Sequence, residues 1–239
     1  MDEWALFNDF ALHAGLDRHT KLLARYELFR RVVELPGDVV ECGVCRGAGL
    51  LFWAKLLEIF APRSDRRVVG FDLFGAEPKR THEWDEPFMP EVARTASVES
   101  LLEIARAQGL ERRVEIVPGD ASRTVGEYAA ARPGWRISLL NLDFDNYDPT
   151  RAALAAFFPR VVAGGVVAFD DYGAPQWGES DAVDEFLRGS GYVPRALPWA
   201  LSPRAYVVKG EAAGSSAQAA PVAPAAPVAP VAPGAPQGS

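Results

Sequence analysis

The sequence predicts an α/β fold built on a mostly parallel, doubly wound sheet. Three observations carry that expectation. Short apolar runs alternate with segments of helical periodicity, the pattern of strands joined by crossover helices. The first run breaks into a glycine-containing turn that opens a helix. Successive runs end on acids, which such a fold gathers along one edge of its sheet.

Two helices are expected first, over residues 3–14 and 20–34. In the second, Leu22, Leu23, Tyr26, Phe29, Val32 and Val33 recur at helical spacing until Pro36-Gly37 stops it. The first strand is Asp38-Val39-Val40-Glu41-Cys42, followed by the turn Gly43-Val44-Cys45-Arg46-Gly47 and a helix through Leu50, Trp53, Leu56 and Ile59. A second strand, 67–72, ends on Asp72. Residues 73–90 read as a long loop rich in charge, proline and aromatics, and 97–108 as a helix. A third strand, 114–117, leads to Gly119-Asp120. A fourth, 137–142, ends at Asp143-Phe144-Asp145. Asp148 is the expected cap of the next helix, with Pro149 at its first position. The fifth strand, 165–169, runs into Asp170-Asp171. A helix over 181–187 and two short strands near 191–196 and 205–208 complete the pattern.

The chain has 239 residues, enough for one sizeable α/β domain. Residues 1–36 are expected as helices packing on a main domain of 37–210. From 211 to 239 the composition turns to Ala, Pro, Val, Gly and Ser. That stretch cannot bury enough surface to offset its ordering entropy, so a disordered tail is expected. The net charge of −7 and the lack of a basic stripe argue against a nucleic-acid partner. No apolar run approaches the roughly 20 residues of a membrane span. Met1-Asp2-Glu3-Trp4 lacks the basic-then-apolar order of a signal peptide, which makes a cytoplasmic protein the default.

Seven acids, Glu41, Asp72, Asp120, Asp143, Asp145, Asp170 and Asp171, fall at strand carboxyl ends, where doubly wound sheets bind ligands. Glu41-x-Gly43-x-x-x-Gly47 lets a backbone approach a ligand closely while the acid receives its hydrogens. It departs from the G-x-G-x-x-G pyrophosphate fingerprint and suits a cationic amino-acid group, although an ordinary tight turn fits as well. Asp72 stands where an acid binds a ribose, or it caps a turn. Gly119-Asp120 could meet an adenine amine or simply turn the chain. Asp143-x-Asp145 and Asp170-Asp171 end strongly apolar strands in four carboxylates, which repel one another unless a cation intervenes. Such hard oxygen ligands suit Mg²⁺ or a similar ion, and the competing reading is helix caps and surface acids. Cys42 and Cys45 fit C-x-x-C, but there is no second pair. His13, His19 and His82 lack ligand spacing, so zinc and non-haem iron sites are disfavoured.

Val39-Val40-Glu41-Cys42-Gly43-Val44, Gly70-Phe71-Asp72 and Ser138-Leu139-Leu140-Asn141-Leu142-Asp143-Phe144-Asp145 resemble the macrocin O-methyltransferase family. So do Tyr147-Asp148-Pro149-Thr150, Gly164-Gly165-Val166-Val167, Phe169-Asp170-Asp171-Tyr172-Gly173, Trp177-Gly178-Glu179 and Ala182-Val183-Asp184-Glu185-Phe186. The resemblance implies a Rossmann-like class I methyltransferase fold with an antiparallel last strand. It implies S-adenosylmethionine and a divalent cation as cofactors, and a hydroxylated small-molecule acceptor, typically a sugar. By the same resemblance Asp143, Asp170 and Asp171 are metal ligands and Asp145 the general base. Glu41, Gly43, Gly47, Asp72, Asp120 and Ala121 line the cofactor, and a homo-oligomer is expected. The chain departs from the family pattern at Asn141 (often His), Cys45 (often aromatic) and Gly49 (often small and polar). The alternatives are a catechol or phenol methyltransferase on the same machinery, a catalytically idle scaffold, and a metal-dependent hydrolase. The hydrolase explains neither Glu41 nor Asp72.

Overall fold

The computed structural model describes residues 2–75 and 96–212. Most of the loop expected over 73–90, including Trp84 and Phe88, lies outside the described residues, as does the tail from 213 onward. Helices α1 (Glu3–His13) and α2 (Leu16–Val32) precede strand β1 (Asp38–Cys42). Then follow α3 (Ala48–Phe60), β2 (Val68–Asp72), α4 (Val98–Ala107), β3 (Val114–Pro118) and α5 (Ala121–Ala131). The last elements are β4 (Ile137–Leu142), α6 (Tyr147–Phe157), β5 (Val161–Phe169), α7 (Glu179–Leu187) and β6 (Ala205–Val208).

The six strands lie in the order β3-β2-β1-β4-β5-β6. All neighbours pair in parallel except β6, which runs antiparallel to β5. This is the mostly parallel, doubly wound sheet with an antiparallel last strand that the sequence implied. Strand order reverses between β1 and β4, so the crevice outside their carboxyl ends is the expected ligand site. Alternation along each strand separates two apolar layers. Val39, Val68, Leu139 and Val166 face Leu28, Phe29, Trp53 and Leu101. Val40, Phe71, Leu140 and Val167 face Val125, Tyr128, Phe157 and Val183 on the opposite side.

Four local expectations are corrected. The buried stripe of α2 is Ala24, Arg25, Leu28, Phe29 and Val32, and Leu23 points to solvent. The 24-28-32 spacing turns the helix so that a buried arginine replaces the expected leucine. Helix α5 was not foreseen from the sequence. Its Gly126 weakens the helical signal, yet Asp120 caps it and Val125, Tyr128 and Ala129 are buried. Helix α6 starts at Tyr147 with Asn146 as its N-cap, leaving Asp148 and Pro149 inside the first turn. Proline is tolerated there because the first amides of a helix have no intrahelical acceptor. Residues 191–196 form no strand, only a single bridge from Arg195 to Tyr206.

Candidate active site

The ends of β1, β4 and β5 are locked together one residue beyond the strands. The Asp143 amide donates to the Cys42 carbonyl, and the Asp170 amide donates to the Leu142 carbonyl, each at 2.8 Å. These bonds carry the ladder onto the acids themselves. Gly43 makes the approach achievable. It has φ +94°, and a β-carbon there would lie 1.8 Å from the Asp143 carbonyl oxygen. Asp145 adopts φ +63°, a left-handed conformation that aspartate tolerates better than most residues. Its carbonyl accepts from the Glu179 amide at 3.0 Å, which ties the turn to the start of α7.

Asp143, Asp145 and Asp171 each offer a carboxylate oxygen, all within 4.8 Å of one another, a spacing that could hold a metal ion. Asp170, the fourth acid, is buried and turned toward two other groups. Its Oδ2 accepts from the Ser202 hydroxyl at 2.5 Å and from Lys21 Nζ at 2.8 Å. Lys21 also donates to Asp143 Oδ2 at 3.2 Å, so its ammonium bridges the ends of β4 and β5. The Oδ1 atom of Asp170 is buried without a partner among the described residues. Asp171 is held from behind, its amide donating to Glu179 Oε1 at 3.0 Å.

The electrostatics follow from this crowding. Burial, then repulsion from Asp170, push the Asp143 carboxyl up to about 7 against the pull of Lys21 and Arg25. Burial, then a hydrogen bond donated to Asp171, hold Asp145 well above the usual carboxylate range. For Asp170 burial also raises the value, but Lys21 and then Arg25 outweigh it and keep this carboxylate ionised. The cluster thus contains one carboxyl held low by cationic partners beside others that burial and their acidic neighbours push up.

Glu41 faces the α2–α3 side of the sheet. It is 1 % exposed and paired with Arg25, Nη2 to Oε1, at 3.2 Å. Arg25 reaches on to Asp143 Oδ2 at 3.4 Å and lies over the Trp53 ring. Gly49 leaves room for this pair, since a β-carbon there would lie 1.9 Å from Glu41 Oε1 and 2.2 Å from Arg25 Nη1. Burial pushes the Glu41 carboxyl up to about 8 in spite of Arg25, with Asp143 adding to the rise.

Asp72 organises the turn after β1. Its Oδ2 accepts the amides of Val44 and Cys45, both at 2.8 Å, and its Oδ1 accepts that of Phe74 at 3.1 Å. Gly47, with φ +84°, ends that turn as the N-cap of α3. Asp120 caps α5 through Ser122, and Ala121 is the first residue of that helix. The structure therefore gathers Asp143, Asp145, Asp170 and Asp171, sets Asp72 and Gly43 on the neighbouring strand ends, and leaves Asp120 as a helix cap. Sequence reasoning missed Lys21, Arg25 and Ser202, and gave Glu179 no role beyond its place in the family motif. The one available signal was Lys21 and Arg25 standing four residues apart, hence on one face of α2.

A family model described as macrocin O-methyltransferase (TylF) matches residues 21–193. The chain is 32% identical over 165 residues to mycinamicin III 3''-O-methyltransferase of Micromonospora griseorubida, covering 64% of this chain and 61% of that protein. It is 33% identical over 147 residues to 8-demethyl-8-(2,3-dimethoxy-alpha-L-rhamnosyl)-tetracenomycin-C 4'-O-methyltransferase of Streptomyces olivaceus, covering 58% and 54%. The matched region spans less than two thirds of the length of these two relatives. The crystal structure of the calicheamicin methyltransferase CalS11 superposes with a TM-score of 0.78 at 30% identity, covering 88% of this chain and 87% of that one. Matched by the family model over well more than half of its length, the chain belongs to the macrocin O-methyltransferase family.

Proposed function

We propose that this protein is an S-adenosylmethionine-dependent O-methyltransferase acting on a hydroxyl of a sugar or glycosylated natural product. Family membership supports the methyl transfer, and the acceptors named for the relatives support the acceptor class. The observation that carries the chemistry is the convergence of Asp143, Asp145 and Asp171 beyond β4 and β5, with Lys21 bridging Asp143 to the adjoining Asp170.

The residues fit a divalent cation. The donors are hard oxygens, one buried carboxylate oxygen lacks a partner, and a cationic side chain already stands between two of the acids. In this reading Asp143, Asp170 and Asp171 hold the cation, which when bound lowers the pKa of an acceptor hydroxyl. Asp145 receives the hydroxyl proton. A basic role suits its position, because its carboxylate lies beside those of Asp143 and Asp171 at the strand ends. Ser202 and Glu179 fix the orientations of Asp170 and Asp171. The turn over 43–47, held by Asp72, would hold the cofactor's amino-acid and ribose groups together with Glu41, and Asp120 and Ala121 would meet its adenine. Acceleration comes largely from holding the acceptor oxygen in line with the sulfonium methyl.

The test is methyl transfer from S-adenosylmethionine to a panel of glycosides and nucleotide sugars, with and without Mg²⁺. Asp170→Ala should lose activity and partly regain it at higher Mg²⁺. Asp145→Asn should lower turnover by roughly 10²–10⁴-fold with no rescue by metal, the range for a general base. Rescue of Asp145→Asn but not of Asp170→Ala would exchange the two roles. Undiminished turnover in both would make the cluster structural.

A further inference from the structure

Lys21 reaches the acid cluster from the first turns of α2, which bury no residue, whereas the rest of that helix packs in the core. Helix α1 buries no residue, and its Trp4, Phe7 and Leu12 stand in solvent. In α2 the first buried residue is Ala24, so the two turns before it contribute no core packing. Yet Lys21, within those turns, makes two ion pairs to the ends of two different strands, at 2.8 and 3.2 Å. Arg25, one turn further, is fixed by burial, by Glu41 and by the Trp53 ring. The two cations differ accordingly. Arg25 is part of the core, whereas the Lys21 side chain is 23 % exposed and hangs on a flexible stem with a route to water.

We infer that the Lys21 ammonium is a tethered, displaceable cation that occupies the place of the divalent ion between Asp143 and Asp170, so that metal loading expels it and frees the first turns of α2. The inference rests on the metal reading given above. A divalent ion brings twice the charge to the same two carboxylates and approaches them at about 2.0–2.6 Å, closer than an ammonium can. Lysine competes because it is attached, which gives it a high effective concentration at the site. Metal affinity is therefore reduced by the fraction of molecules in which Lys21 is seated. Once Lys21 leaves, the chain before Ala24 retains few contacts that oppose local opening.

The test uses the full chain and Mn²⁺ as the probe. Free Mn²⁺ is followed by electron paramagnetic resonance in the parent protein, in Lys21→Met and in Lys55→Met, a control on the exposed side of α3. Lys21→Met should bind Mn²⁺ at least tenfold more tightly than the parent, and Lys55→Met should match the parent. Equal or weaker binding by Lys21→Met, alongside measurable binding by the parent, overturns the displacement while leaving the metal reading intact. No binding by any of the three overturns both. Hydrogen exchange on the unmutated protein gives a second readout in case Lys21→Met does not fold. Amides of residues 16–23 should exchange at least several-fold faster at saturating Mn²⁺. Unchanged or slower exchange there refutes the release of α2.

Discussion

Gly43→Ala is the sharpest test of how the fold builds the site. The position has φ +94°, and the new β-carbon would sit 1.8 Å from the Asp143 carbonyl oxygen and 2.7 Å from its carbonyl carbon. The obstacle is backbone, so no rotamer change relieves it. An L-residue in a left-handed conformation costs about 1–2 kcal/mol. Pushing the strand ends apart by about 1 Å also weakens the Asp143-to-Cys42 and Gly43-to-Phe71 hydrogen bonds, each worth about 1 kcal/mol. The expected loss is therefore about 3–4 kcal/mol, a substantial part of the stability of an ordinary domain. Urea unfolding, read as a shift in midpoint at constant slope, measures it. Gly126→Ala is the internal control, because it lies inside α5 with nothing within 4 Å of its added β-carbon. It should stabilise the protein by about 0.5–1 kcal/mol. A Gly43→Ala loss under about 1 kcal/mol would refute the claim that the strand ends must touch there.

Asp72→Asn keeps the side-chain size but replaces one acceptor oxygen by a donor facing backbone amides. It should weaken S-adenosylmethionine binding by about 1.5–3 kcal/mol, the range for hydrogen bonds to charged groups, by calorimetry. Unaltered affinity in the folded variant removes Asp72 and its turn from the cofactor site. Asp120→Ala should cost about 0.5–2 kcal/mol through the lost cap of α5, seen as a lower urea midpoint. Glu41 and Asp143 titrate near 8 and 7, above their ordinary 4.5 and 3.8, so the folded chain keeps protons that the unfolded chain has released. Without metal, stability should therefore be full at about pH 4 and fall toward pH 8, by up to about 1.4 kcal/mol per pH unit per group. Urea midpoints in EDTA at pH 5.5 and 7.5 check the sign, and a higher midpoint at pH 7.5 contradicts it.

Strand positions and the acids at their ends were legible in the sequence because both depend on local patterning. Val39, Val40, Leu139 and Leu140 announce buried strands, and a doubly wound sheet then places whatever follows them along one edge. The roles proposed for those acids came from family resemblance, not from the pattern. What stayed hidden depends on rotation and on distant pairing. Helix α2 carries apolar residues on more than one face, so periodicity pointed to Leu23 where the protein buries Arg25. Ser202 lies 32 residues from Asp170 and Lys21 lies 149 residues from it, separations that no local pattern encodes. Helix α5 was concealed for a different reason, the Gly126 in its middle.

Those hidden residues explain how so many acids coexist. Four carboxylates on β4 and β5, with Glu41 and Glu179 behind them, would oppose folding if all were ionised in a dry site. The chain meets this in three ways. Arg25 is buried against Glu41 and Asp143 as a permanent partner, in room left by Gly49. Asp145 and Asp171 stand side by side, and burial pushes both carboxyls up, which disfavours their charged forms. Lys21 supplies the remaining charge from an exposed turn. Of these partners, Arg25 is buried in the core and Lys21 is the one with a route to water. On the proposed metal reading, an added ion would take over the charge that Lys21 supplies, and Arg25 would stay in place. Arg25→Met should consequently destabilise the protein with or without Mn²⁺, whereas the cost of Lys21→Met should largely vanish once Mn²⁺ is bound.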